Sequence, residues 1–179
     1  GGGGDDTLLG GNNTDTLYGG DGDDTLVGGN GGDIIDGGDG DGGVASYFSS
    51  VGGVRVDLLN GTATAGQATG DTLTGIENLY GSNGGADRLY GDNSANVLRG
   101  YAGADWLKGN GGDDTLSGGN DSDIDRFIYD AENFGKDTIT DFGNAEDILD
   151  MRGLGLTIAD VIATQVGTST VLTFNGLND

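Results

Sequence analysis

The chain has 179 residues, 41 of them glycine, no proline, cysteine or histidine, and 7 basic against 30 acidic side chains, for a net charge of −23. Such a balance argues against nucleic acid and anionic membrane surfaces as partners, because phosphate binding needs a basic face. Lacking thiol and imidazole, the chain also lacks the usual zinc ligands and activated nucleophiles, and glycine at this density signals disorder unless a strict repeat organises it.

A repeat does organise it. From the N-terminus an Asp recurs every nine residues, at Asp6, Asp15, Asp24 and Asp33, and two places after each stands Leu8, Leu17, Leu26 or Ile35. In the unit spanning residues 19–27, Gly20 and Gly22 permit backbone angles closed to residues with a Cβ, so the first six positions make a tight turn. Asp24 ends the turn, and Thr25, Leu26 and Val27 form a short strand whose alternation sends only Leu26 to one face. One apolar residue per unit is a thin core. The pattern therefore predicts two units per coil of 18 residues, with coils stacked as parallel strands around a narrow Leu and Ile interior. Stacking sets Asp6 near Asp24 and Asp15 near Asp33. Carboxylates this close repel one another, and a hard cation taking six or more oxygens relieves the repulsion; the all-oxygen environment suits Ca²⁺ better than Mg²⁺.

At Gly42 the expected Asp is missing, so a first roll over residues 1–43 is expected to close there. Residues 44–80 read as a bridge. Val54, Val56 and Leu58 alternate with Arg55 and Asp57 as a half-buried strand, and Asn60-Gly61 reads as a hairpin turn. Leu73, Ile76 and Leu79 are expected to point inward, with Asp71, Glu77 and Asn78 as cap or ladder partners. Glu77 has no second carboxylate at a catalytic spacing and reads as structural.

The nine-residue comb returns over residues 81–124 as a second roll, at Asp87, Asn96, Asp105, Asp114 and Asp123, with Leu89, Leu98, Leu107 and Leu116 two places on. This register predicts Asp87 near Asp105, Asn96 near Asp114, and Asp105 near Asp123. Past Ser117 two phases compete, because Asp125 followed by Arg126 and Phe127 restarts the comb two residues late. Asp121, Asp123, Asp125 and Glu132 also match EF-hand ligand spacing, but Arg126 stands where the loop needs glycine and no helical pattern precedes it. Each of these phases makes the segment a calcium site.

Residues 125–179 form a different module. Ile139, Phe142, Ile148 and Leu149 are expected to form a core, Thr157 and Asp160 a capping box for a short helix bearing Ile158, Val161 and Ile162, and residues 171–174 a strand. This block is read as a β-rich cap on the open end of the second roll and, through its apolar cluster, as the nucleus from which the roll folds. The predicted fold class is all-β, a parallel β-roll solenoid of nonapeptide repeats in two rolls joined by the bridge.

The nonapeptides, the bridge motif DTLTGIENLYGS and the tail KDTITDFGNAEDILDMRGLG together resemble the C-terminal region of RTX (repeats-in-toxin) proteins, such as serralysin-type proteases, secreted lipases and adhesins. The resemblance covers nearly the whole chain. It implies a parallel β-roll with several Ca²⁺ ions in its turns, and secretion from a Gram-negative bacterium through a type I secretion apparatus that reads a C-terminal signal. Carried over by position, the metal ligands are Asp6, Asp15, Asp24, Asp33, Asp87, Asp105, Asp114 and Asp123, with Asp125 from the alternative phase. Turn carbonyls of Gly2, Gly4, Gly11, Gly20, Gly22, Gly29, Gly31, Gly103 and Gly112 assist. Asn96 departs from the pattern and makes its site weaker or differently built. The chain begins in mid-repeat and stops at Asp179, short of a further apolar strand usual in the family, so it reads as cut from a larger protein with an incomplete secretion signal.

Three functions compete. The leading one is a non-catalytic module that stays unfolded where free Ca²⁺ lies far below ~10⁻⁴ to 10⁻³ M, then folds outside the cell as ion binding supplies its folding free energy, supporting type I secretion and the stability of an upstream passenger domain. The second is a surface- or glycan-binding module of a secreted adhesin, with Tyr18, Tyr47, Tyr80, Tyr90, Tyr101 and Trp106 stacking on sugars. An enzyme is the third, but there is no Ser in G-x-S-x-G, and the comb accounts for nearly all the acids. No apolar stretch approaches the roughly 20 residues that span a bilayer.

Overall fold

A computed structural model describes residues 1–130, 134–143 and 147–155, together with the backbone of 161–166 and 169–174. The fold is all-β, a solenoid of about eight turns with about 4% helix. Its seven-stranded sheet is parallel throughout and keeps chain order in space: Thr7–Asn12, Thr25–Asn30, Val44–Ser46, Asn78–Tyr80, Val97–Arg99, Thr115–Ser117 and Thr138–Ile139. The opposite sheet has ten strands, in the order Gly2–Gly3, Thr16–Asp21, Ile34–Asp39, Thr72–Thr74, Thr62–Thr64, Arg55–Asp57, Arg88–Tyr90, Trp106–Lys108, Arg126–Ile128 and Ile148–Asp150.

The interior is a column of apolar residues in register. On one side Leu8, Leu26, Ala45, Leu79, Leu98, Leu116 and Ile139 stack one above the next. On the other, Leu17, Ile35 and Leu73 stack, and past the bridge Val56, Leu89, Leu107, Phe127 and Leu149 continue. Leu26, Leu79, Leu89, Leu98, Leu107, Leu116 and Phe127 are fully buried, while Leu8 in the first coil is only partly so. Close approach of successive turns requires the glycines. Gly20 has φ of 114°, and a Cβ there would meet the backbone of Gly2 in the coil below.

The bridge interrupts only one of the two sheets. Arg55–Asp57 and Thr62–Thr64 form an antiparallel hairpin, with Gly61 N–H donating to Leu58 O at 3.1 Å, inserted between the parallel runs. Val54 and Val56 face the core, as do Leu73, Ile76 and Leu79. The expected closure at Gly42 does not occur. Val44–Ser46 pairs with Thr25–Asn30 on one side and Asn78–Tyr80 on the other, and Glu77 of the following coil accepts from Gly43 N through its Oε2 at 2.8 Å.

The tail differs from its predicted form. Phe142 is 49% and Ile148 37% exposed, while Ile139 and Leu149 are partly buried and extend the apolar columns. Among the described residues the largest fully buried side chains include Phe127 of the tail module, with Tyr47, Val54, Val56 and Leu79 from the bridge and the others from the coils. Thr157, Ile158 and Asp160 lie outside the described residues, but Val161 and Ile162 are not helical. They belong to strand Val161–Val166, antiparallel to Ser169–Phe174, where the β-branched sequence favours extended backbone over a helix. The strand expected at residues 171–174 is present.

Candidate metal centre

Most turns, those at Gly43 and Asn96 excepted, end in an acidic side chain whose carboxylate accepts the backbone N–H of the equivalent residue one coil earlier. Along one edge Asp15 N donates to Asp33, Asp33 N to Asp71, and, past the hairpin, Val54 N to Asp87, Asp87 N to Asp105, Asp105 N to Asp125 and Asp125 N to Asp147, all at 2.7–3.1 Å. Along the other edge Asp6 N donates to Asp24, Gly43 N to Glu77, Asn96 N to Asp114 and Asp114 N to Asp137, at 2.7–3.0 Å. The predicted neighbours Asp6 and Asp24, Asp15 and Asp33, Asp87 and Asp105, and Asn96 and Asp114 are thus brought together. Asp105 and Asp123 are not. Asp125 takes that place, because its register lets Phe127 fill the column above Leu107, while Asp123 is exposed and its N–H turns back to Asp121 at 2.9 Å.

The second carboxylate oxygen is the informative one. Asp24, Asp33, Asp105 and Asp114 are no more than 1% exposed, and in each of them, as in Asp15, Oδ2 is buried without a hydrogen-bond partner. An uncompensated buried carboxylate oxygen is costly. Burial pushes the Asp105 carboxyl up to about 8, helped by Asp87, Asp125 and Asp121 around it, and Asp114 and Asp125 up to about 7 for the same first cause.

These oxygens face backbone oxygens. A Cβ built on Gly10 would lie 2.6 Å from Gly28 O and 2.9 Å from Asp15 Oδ2. The same cradle recurs beside Gly19, between Gly37 O and Asp24 Oδ2, and beside Gly100, between Gly118 O and Asp105 Oδ2. Among the described residues no group of three or more acidic side chains converges on one point, so a cation held here draws on one or two carboxylates plus carbonyls. Hard oxygen donors, unpaired and buried, fit Ca²⁺.

The glycines expected to assist have a related place. Gly20 stacks on Gly2, Gly22 on Gly4, Gly29 on Gly11, Gly31 on Asn13, Gly103 on Gly85 and Gly112 on Ser94. The carbonyls that face the orphaned oxygens belong instead to the first glycine of a unit, such as Gly28 and Gly37, or to Gly118, which the sequence reading passed over. It also passed over Asp137 and Asp147 as ladder members. Their signal was present: Asp137-Thr138-Ile139 and Asp147-Ile148-Leu149 repeat the acid-x-apolar spacing of the comb, offset from its register. The EF-hand spacing does not correspond to a helix-loop-helix, since Arg126–Ile128 is a strand and Asp121 and Asp123 follow no helix; Glu132 lies outside the described residues.

A parallel β-solenoid whose turns end in stacked carboxylates and face glycine carbonyls is a calcium-binding β-roll in class. The model of the RTX calcium-binding nonapeptide repeat matches residues 1–17, 9–44, 71–107 and 90–125, and the chain belongs to that family. Among curated proteins none matches it. Among the described residues no helix is long and apolar enough to cross a membrane.

Proposed function

We propose that the chain is a non-catalytic calcium-dependent folding module of a secreted Gram-negative protein, exported by a type I apparatus and stabilising an upstream passenger domain once outside the cell. The observation that carries this reading is the row of buried carboxylate oxygens without partners at Asp15, Asp24, Asp33, Asp105 and Asp114. Bound calcium would supply positive charge and a flexible oxygen shell at these positions. The residues do the rest. Stacked acids hold the turns in register through their Oδ1 atoms, and first-position glycines bring carbonyls close by leaving out a Cβ. With −23 of net charge and no ion, the coils repel themselves, which keeps the chain extended for export.

The glycan-binding alternative is less favoured by the surface. Tyr47 is 1% exposed and offers no face to a sugar, and the Trp106 ring already contacts the Arg88 and Arg126 guanidiniums at 4.8 and 5.2 Å from its centroid. Far-UV circular dichroism in excess chelator tests the main reading. The expected result is a largely unfolded chain that gains β signal on Ca²⁺ addition; a native spectrum with metal verified absent overturns it.

A further inference from the structure

We propose that the carboxylate ladder is divided into two ion-loading segments by a central segment around Asp71, Asp87 and Asn96 that takes no ion, because protein groups already occupy the second side-chain position there. The proposal rests on reading the ladder as the calcium site and adds which rungs are loaded.

At Asp71 both oxygens are engaged. Oδ1 accepts from Asp33 N at 2.8 Å, and Oδ2 accepts from the Tyr47 hydroxyl at 3.0 Å. Tyr47 follows directly on strand Val44–Ser46, is pinned by its N–H to Tyr80 O at 2.8 Å, and is 1% exposed. Its phenol donates its one proton to the oxygen that is orphaned at Asp33, the rung below. That proton does locally what a cation would do, since it relieves the buried negative oxygen.

Asp87 is satisfied by a different device with the same result. Its Oδ1 accepts from Val54 N at 2.7 Å, its Oδ2 from Ser82 N at 2.7 Å, and the Ser82 hydroxyl lies 3.0 and 3.2 Å from the two oxygens. Ser82 is itself fully buried. At Asn96, Oδ1 accepts from Asp92 N at 2.8 Å and Nδ2 donates to Glu77 O at 2.8 Å, so an N–H₂ group points at an oxygen that a cation would need. Glu77, above Gly43, also receives its hydrogen bond from the chain. The orphaned oxygens of Asp15, Asp24 and Asp33 lie to one side of this segment, and those of Asp105 and Asp114 to the other.

Native mass spectrometry of the full chain, counting bound Ca²⁺, tests the division. A wild-type chain that binds no calcium refutes the calcium reading itself and the division with it. If the wild type binds calcium, Asp33→Asn and Asp105→Asn should each lose at least one ion, whereas Asp71→Asn and Asp87→Asn should keep the wild-type count. Tyr47→Phe removes only the hydroxyl and keeps the ring's volume; the count should hold or rise by one as Asp71 Oδ2 is freed. Loss of an ion in Tyr47→Phe, or in Asp71→Asn to the extent seen in Asp33→Asn, shows that this rung is loaded and overturns the division.

Discussion

Asp105 concentrates the chemistry of the ladder in one side chain. Its Oδ1 holds Asp87 N, its Oδ2 has no partner, and burial raises its carboxyl to about 8. A carboxyl whose folded pKa lies above its unfolded value favours the folded state only while it keeps its proton. The metal-free fold is therefore penalised progressively as pH rises from about 4 through about 8, with Asp114 and Asp125 adding their share up to about 7. In chelator, β signal should accordingly be greater near pH 5 than near pH 8, and the calcium midpoint should fall as pH rises because protons and cations compete for the same oxygens. A chelated chain equally unfolded at both pH values counts against this. The choice between Asp123 and Asp125 makes a sharper test. Asp125 is 2% exposed and bonds Asp105 N, whereas Asp123 faces solvent, so Asp125→Asn should raise the calcium midpoint several-fold and Asp123→Asn should leave it within about twofold. Nothing in residue order separated these two acids. The decision was made by Phe127, which must lie in the Leu107 column.

At the scale of strands, stability comes from the column of single apolar residues and from how charges are spaced on the outer faces. Leu98 is fully buried between Leu79 and Leu116, so Leu98→Ala should cost about 2–5 kcal/mol at saturating calcium, measured by thermal or denaturant unfolding. On the ten-stranded sheet Arg55, Arg88, Trp106 and Arg126 occupy one outward column. Trp106 separates Arg88 from Arg126 and contacts both, while Arg55 sits 5.7 Å from the Tyr90 ring. Trp106→Ala removes both cation–π contacts and should destabilise by about 1–2 kcal/mol, with Trp106→Phe recovering part of the loss. Strand positions in the repeats were legible because period nine sets one inward residue per turn. The end of the chain was less so. Short apolar runs suit helix or strand alike, and at Val161 and Ile162 the pairing with Thr173 and Phe174 settled the matter.

For the whole molecule, long-range repulsion from −23 net charge and local frustration at buried oxygens both oppose the metal-free fold, and salt separates them. At 1 M ionic strength the screening length is about 3 Å, which suppresses surface repulsion but leaves buried oxygens unpaired. The chelated chain should therefore stay largely unfolded in 1 M NaCl, and recovery of the β signal there would show that calcium acts by general charge compensation. The sequence by itself determined the solenoid: a nine-residue comb of Asp and Leu with glycine turns cannot bury one Leu per unit unless coils stack in parallel, and stacking brings acids 18 residues apart together. Only the tertiary structure decided how the bridge joins the coils and which rungs are already satisfied. Those contacts span irregular separations, such as 38 residues from Asp33 to Asp71, 24 from Tyr47 to Asp71 and 23 from Asp114 to Asp137. A local period carries no information about them, because they depend on where insertions into the repeat, the hairpin of residues 55–64 among them, return the chain to the stack.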